Sequence, residues 1–86
     1  MSARRHETVF PGFKEAAARR RALSDALVEK RGELGLSQTE VAARMGTSQS
    51  AVARLESGDA DVRLSTLERY AAAIGQRLDF RLQRRT

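Results

Sequence analysis

Three positions in the stretch QTEVAARMGTSQSAVARLES, residues 38–57, constrain the backbone of this 86-residue chain more than any others. Ala42 lies four residues after Gln38, Gly46 four further on, and Val52 six beyond that. Ala42 is small enough to let a second helix pass directly over it. Gly46 tolerates the positive φ that a tight turn demands. Val52 and Leu55 then face Val41 and Met45 and lock the two helices together. The spacing therefore predicts two short, steeply crossing helices joined by a turn.

Local signals place the other elements around this pair. SQTE at 37–40 reads as a capping box, with Ser37 and Glu40 exchanging side-chain and backbone bonds. Ser48 is the N-cap of the next helix and Gly58 its end. STLE at 65–68 reads as a second capping box, opening a helix with Leu67, Tyr70, Ala71 and Ile74 inward and Gly75 as its stop. Upstream, Pro11 suits a first helical turn. Phe10, Phe13, Ala17, Leu23, Leu27 and Leu34 give an apolar period, broken at Arg20. A helix or a pair of helices is expected from about 11 to 34, after a mobile arm at 1–8. In QRLDFRLQ the period changes to two, placing Leu78, Phe80 and Leu82 on one face. That predicts one strand, either paired antiparallel with a second copy of the chain or laid as an extended segment on its own core. The expected fold is mainly α, four to five helices plus this C-terminal β-strand.

The chemistry in the composition is narrow. Cysteine is absent, which excludes disulfides and thiolate metal sites. His6 is the only histidine and falls in the arm. No phosphate-binding glycine loop and no nucleophile with a nearby base occur, so neither an enzyme nor a cofactor or metal is expected. No apolar run approaches the ~20 residues of a membrane span, and the expectation is a cytoplasmic protein without a membrane partner. The net charge of +5 suits a polyanion partner, although a basic surface also serves solubility alone. The charge is uneven. Residues 1–31 hold eight Lys/Arg against four Asp/Glu, residues 32–64 three against five, and residues 65–86 five against two. The basic excess lies at the two ends, where Arg4, Arg5, Arg19–Arg21, Arg84 and Arg85 are candidate phosphate contacts.

Beyond spacing, LGLSQTEVAARMGTSQSAVARLESG resembles the helix-turn-helix of the Xre/Cro family of bacterial and phage repressors. Arg31, LSQ at 36–38, GTSQ at 46–49 and LESG at 55–58 carry the likeness, which covers about residues 22–75. It implies a lambda-repressor-like bundle. STLERYAAAIGQRLDFRL and the longer N-terminal segment resemble more narrowly the HigA-like and HipB-like antitoxins. The likeness divides the chain into a basic arm with an extra helix at 1–21, a DNA-binding domain at 22–75 and a dimerisation strand with a basic tail at 76–86.

In that family the second helix enters the major groove. The resemblance thus assigns base contacts to Gln49, Ser50, Ala51 and Arg54. Gln49 suits adenine, the Ala51 methyl suits thymine, and Arg54 suits either guanine or a phosphate. Phosphate contacts fall to Gln38, Thr47, Ser48 and Arg63, Ser48 also being a plain N-cap. Arg44 is either a solvated residue or an ion-pair partner. Glu56 is expected to pair internally with Arg31 rather than touch DNA. Dimerisation is assigned to Leu78, Phe80 and Leu82. The implied function is a homodimeric repressor on an inverted-repeat operator in double-stranded DNA. It is either the antitoxin of a type II pair, with a cognate toxin bound through residues 1–21, or a stand-alone regulator. A protein-interaction module that has lost DNA binding is the remaining alternative.

Overall fold

The computed structural model describes residues 13–59 and 61–84. Four helices lie among them: α1 (Phe13–Glu33), α2 (Gln38–Met45), α3 (Gln49–Ser57) and α4 (Leu64–Ala73). The expectations for Phe10, Pro11 and the 1–8 arm, including Arg4, Arg5 and His6, and for Arg85 lie outside the described residues.

The crossing pair forms as the spacing requires. The Glu40 N–H donates to Ser37 Oγ at 3.0 Å and the Ser37 N–H to Glu40 Oε1 at 2.8 Å, a complete capping box. Gly46 stands at φ 72°. The N–H groups of Gly46 and Thr47 fold back onto the carbonyls of Ala43 and Ala42, at 3.2 and 2.9 Å. This Schellman arrangement satisfies two carbonyls that the end of α2 would leave open. Ser48 then caps α3, accepting from the Ala51 N–H at 3.1 Å. Val41, Ala42, Met45, Val52 and Leu55 are buried together with Leu27, Tyr70, Ala71 and Ile74 in one core.

The N-terminal segment is a single 21-residue helix, not a pair. The 21/22 border drawn from the resemblance falls inside it. Its apolar period is weak because its contacts with α3 are partly polar. Buried Ser24 donates to the Leu55 carbonyl at 3.3 Å, and Arg31 reaches Glu56. Leu34, expected in the apolar stripe, is half exposed because α1 stops at Glu33 and the chain turns away.

Two further expectations are corrected. The cap of α4 is Arg63, with no side-chain bond, and not Ser65. Val62 and Leu67, at the positions flanking the first turn, both pack on the core. They set the register as a hydrophobic staple does, two residues ahead of the Ser65 box. In the tail, no strand occurs among the described residues; 76–84 form no ladder. Alternation fixes only which way side chains point. A strand also needs a neighbour's N–H and C=O groups, and an all-helical core offers none. Leu78 packs on the core, while Phe80 is 50% and Leu82 fully exposed.

Gly58 marks the place where α1 crosses the end of α3. It has φ 74°, and a Cβ there would lie 3.3 Å from the Cα of Arg21. At Gly46 a Cβ would meet nothing within 4 Å. Gly46→Ala is therefore expected to cost only the left-handed conformation, roughly 1–2 kcal/mol. Gly58→Ala adds a contact with the Arg21 Cα that is a few tenths of an ångström too tight, and should cost about 1 kcal/mol more. Urea midpoints of the two variants check the order; equal losses would contradict it.

Candidate nucleic-acid interface

Because Val52 and Leu55 turn inward, α3 presents Gln49, Ser50, Ala51 and Arg54 to solvent, together with Thr47 and Ser48 before it. These residues stand on an element fixed at both ends. Its start is capped by Ser48, whose Oγ also lies 3.2 Å from Ser50 Oγ. Its last turn carries Glu56, which enters the interior.

Glu56 gathers four donors. Arg31 Nε approaches Oε2 at 2.7 Å and Arg31 Nη2 approaches Oε1 at 3.0 Å. The Tyr70 hydroxyl donates to Oε2, and Gln38 Nε2 donates to Oε1 at 2.8 Å. Arg31 Nη1 in turn holds the Leu36 carbonyl at 2.8 Å. Burial pushes the Glu56 carboxyl up, but the bonds from Arg31, Tyr70 and Gln38 outweigh it and hold it below its ordinary value. Burial, then the bond to Glu56, pushes the Tyr70 hydroxyl well up, so it stays a donor. The expected Arg31–Glu56 pairing is thus present and bidentate.

From this anchor the bonds run to the surface. Gln38 Oε1 accepts from Gln49 Nε2 at 2.5 Å. Gln38, at the start of α2, is therefore tied to the first residue of α3 and to its last turn at once.

A groove of about 320 Å³ separates α3 from the start of α4. Thr47, Ala51, Arg54 and Arg63 line it, over a floor that includes Met45, Val52, Leu55 and Val62. Thr66 and Arg69 complete the wall, with Asp61 opposite in charge. Neither Thr66 nor Arg69 stood among the sequence candidates. Their signal was the interval of three from Arg63 to Thr66 to Arg69, which places all three on one side of α4. Gln49, Ser50 and Gln38 are not among the residues that line this groove. Arg44 is exposed, and its Nη1 donates to the Ala73 carbonyl at 2.8 Å at the end of α4. Among the described residues no cluster suits a metal ion, and no helix is long and apolar enough to cross a membrane.

The helix-turn-helix family description, HTH_3, matches residues 27–80. The chain belongs to this family. Among curated proteins it is similar to antitoxin HigA1 of Mycobacterium tuberculosis, in strains CDC 1551 and H37Rv. The identity is 48% over 69 residues, covering 80% of the chain and 46% of the relative. It is also similar to the putative antitoxin HigA3 of strain H37Rv, 44% identical over 73 residues, covering 77% of the chain and 67% of the relative. The chain thus spans about half the length of HigA1. No solved structure matches it significantly. The HTH_3 chain is HigA-like and of the Xre type, as its sequence resemblance implied.

Proposed function

We propose that this chain is a sequence-specific DNA-binding repressor that acts in the cytoplasm as a homodimer on an inverted repeat, and that it is the antitoxin of a toxin–antitoxin pair. The observation that carries the DNA reading is the α3 face, where exposed Gln49, Ser50, Ala51 and Arg54 stand on a helix capped at its start and ion-paired at its end. The likeness to HigA proteins supports the antitoxin role. Base contacts fall to those four residues. Gln38, Thr47, Ser48 and Arg63 contact phosphates, joined by Arg69. The second copy docks on the Leu78, Phe80 and Leu82 side chains, which sets two α3 helices against half-sites about one helical turn, ~34 Å, apart. The chain has no catalytic role in this reading.

The acidic middle of the sequence does not oppose it. Glu56 and Arg31 neutralise each other inside, and Glu40 is engaged in a cap. Arg54, Arg63 and Arg69 surround one groove, so positive charge concentrates beside α3 although the segment as a whole is acidic. Phosphate contacts release counterions, and each contributes about −0.9 to the slope of log K against log salt. Removing Gln49 should weaken specific binding by about 1–3 kcal/mol and leave that slope unchanged. Replacing Arg63 and Arg69 by Ala should make the slope shallower by about 2. Fluorescence anisotropy on a selected duplex from 50 to 300 mM salt measures both. A wild-type chain that selects no sequence would reject the repressor reading.

A further inference from the structure

We propose that Glu56, which faces the interior, determines which base Gln49 reads, by fixing the direction of two side-chain amides in series. The inference rests on the reading of α3 as the base-contacting helix.

The reasoning is a count of donors and acceptors. An ionised carboxylate only accepts hydrogen bonds. Gln38 therefore has to present its Nε2 to Glu56 Oε1, which it does at 2.8 Å. Its Oε1 is left facing Gln49, and it accepts from Gln49 Nε2 at 2.5 Å. A free glutamine amide turns over at little cost, but each turn in this series would set two acceptors or two donors against each other. One N–H of Gln49 is thereby consumed. What remains for a ligand is the Gln49 Oε1 and a single N–H.

That remainder is one acceptor and one donor. Adenine offers the complement in the major groove, an N6 donor beside the N7 acceptor. Guanine offers two acceptors, O6 and N7, and needs two donors. Glu56 thus favours adenine over guanine at the base pair under Gln49.

Reversing the first member should reverse the series. In Glu56→Gln the new amide keeps its oxygen toward Arg31 Nε and the Tyr70 hydroxyl, both donors now aimed at Oε2, and only Arg31 Nη2, now aimed at Oε1, loses its acceptor. Its NH2 group then faces Gln38, which turns its oxygen inward and its NH2 toward Gln49. Gln49 turns in response, giving its oxygen to Gln38 and keeping both N–H groups for the base. The preferred base becomes guanine.

The experiment is a selection of bound duplexes from a randomised pool, with the full chain as wild type and three variants. Gln49→Ala identifies the base pair that Gln49 reads, as the position where preference disappears. At that pair the wild type is expected to favour A over G by about 5- to 150-fold, the range for a bidentate contact. Glu56→Gln, checked for helicity by circular dichroism, is expected to favour G. A folded Glu56→Gln that still selects A at that pair overturns the proposal. Gln38→Ala leaves the Arg31–Glu56 pair intact and covers the case where Glu56→Gln does not fold. It should narrow the wild-type preference for A, because a free Gln49 amide can also turn both N–H groups to G. Retention of the wild-type ratio in Gln38→Ala also overturns it. A selection unaffected by Gln49→Ala would instead reject the base-reading role of Gln49, and this proposal with it.

Discussion

Replacing Glu56 by Ala is expected to lower the unfolding free energy by about 3–5 kcal/mol, the usual cost of removing one partner from a buried ion pair. The side chains of Arg31 and Glu56 are only 17% and 6% exposed. Without the carboxylate, the Arg31 guanidinium keeps one bond, to the Leu36 carbonyl, and the Tyr70 hydroxyl loses its acceptor. The same group joins α1, the loop before α2, α3 and α4, so no single helix can relax around its loss. For a domain of this size such a change lowers Tm by roughly 15–30 °C. The pH dependence follows from the depressed carboxyl. A group whose folded pKa lies below its unfolded value contributes stability that is complete above the unfolded value. That stability is lost as the pH falls through the ordinary carboxylate range toward the lower folded value. Wild-type urea midpoints should therefore decline between pH 6 and pH 3, and the Glu56→Ala midpoints should decline less. A parallel decline would show that other carboxylates carry the acid sensitivity.

Local chemistry made much of this fold legible. Ser37 and Glu40 announce a helix start three residues apart, and Gly46 permits a turn that few other residues would. Ala42, Val52 and Leu55 follow from the same short-range logic, since a helix of eight or nine residues has little choice of buried face. Arg31 and Glu56 lie 25 positions apart, and their pairing was legible only through the family resemblance. What escaped were features decided by how helices cross. Ser65 carries a correct capping pattern, but Val62 and Leu67 fix the entry of α4 by packing, and packing outweighs a cap bond. Ser24, a polar residue, is buried because α3 ends over it. Arg69 gains meaning only when α4 brings it to the groove beside Arg54. The tail shows the opposite failure. Leu78, Phe80 and Leu82 alternate as a strand would, yet alternation without a neighbouring backbone does not make one.

Replacing Ala51 by Glu is expected to separate DNA binding from stability. Both α2 and α3 begin with a serine cap, Ser37 and Ser48. In α2 the residue three positions on is Glu40, which completes the box; in α3 it is Ala51, which cannot. Glutamate at 51 would be able to bond the Ser48 N–H as Glu40 bonds Ser37, and its charge suits a helix N-terminus. The fold should gain about 0.3–1 kcal/mol. The same carboxylate would stand on the exposed face between Gln49 and Arg54, turned toward the phosphate-lined groove of the proposed complex. Like charges set against each other across an interface cost several kcal/mol. A new carboxylate beside Arg54 would also offset part of the cation that side chain brings. Affinity for the selected duplex should fall more than ~100-fold, equivalent to about 3 kcal/mol, while the urea midpoint holds or rises. An Ala51→Glu chain that keeps wild-type affinity would place the DNA elsewhere on the molecule. On this view the incomplete box at Ala51 is a functional choice: the most stabilising residue for the start of α3 is one that the proposed ligand could not tolerate.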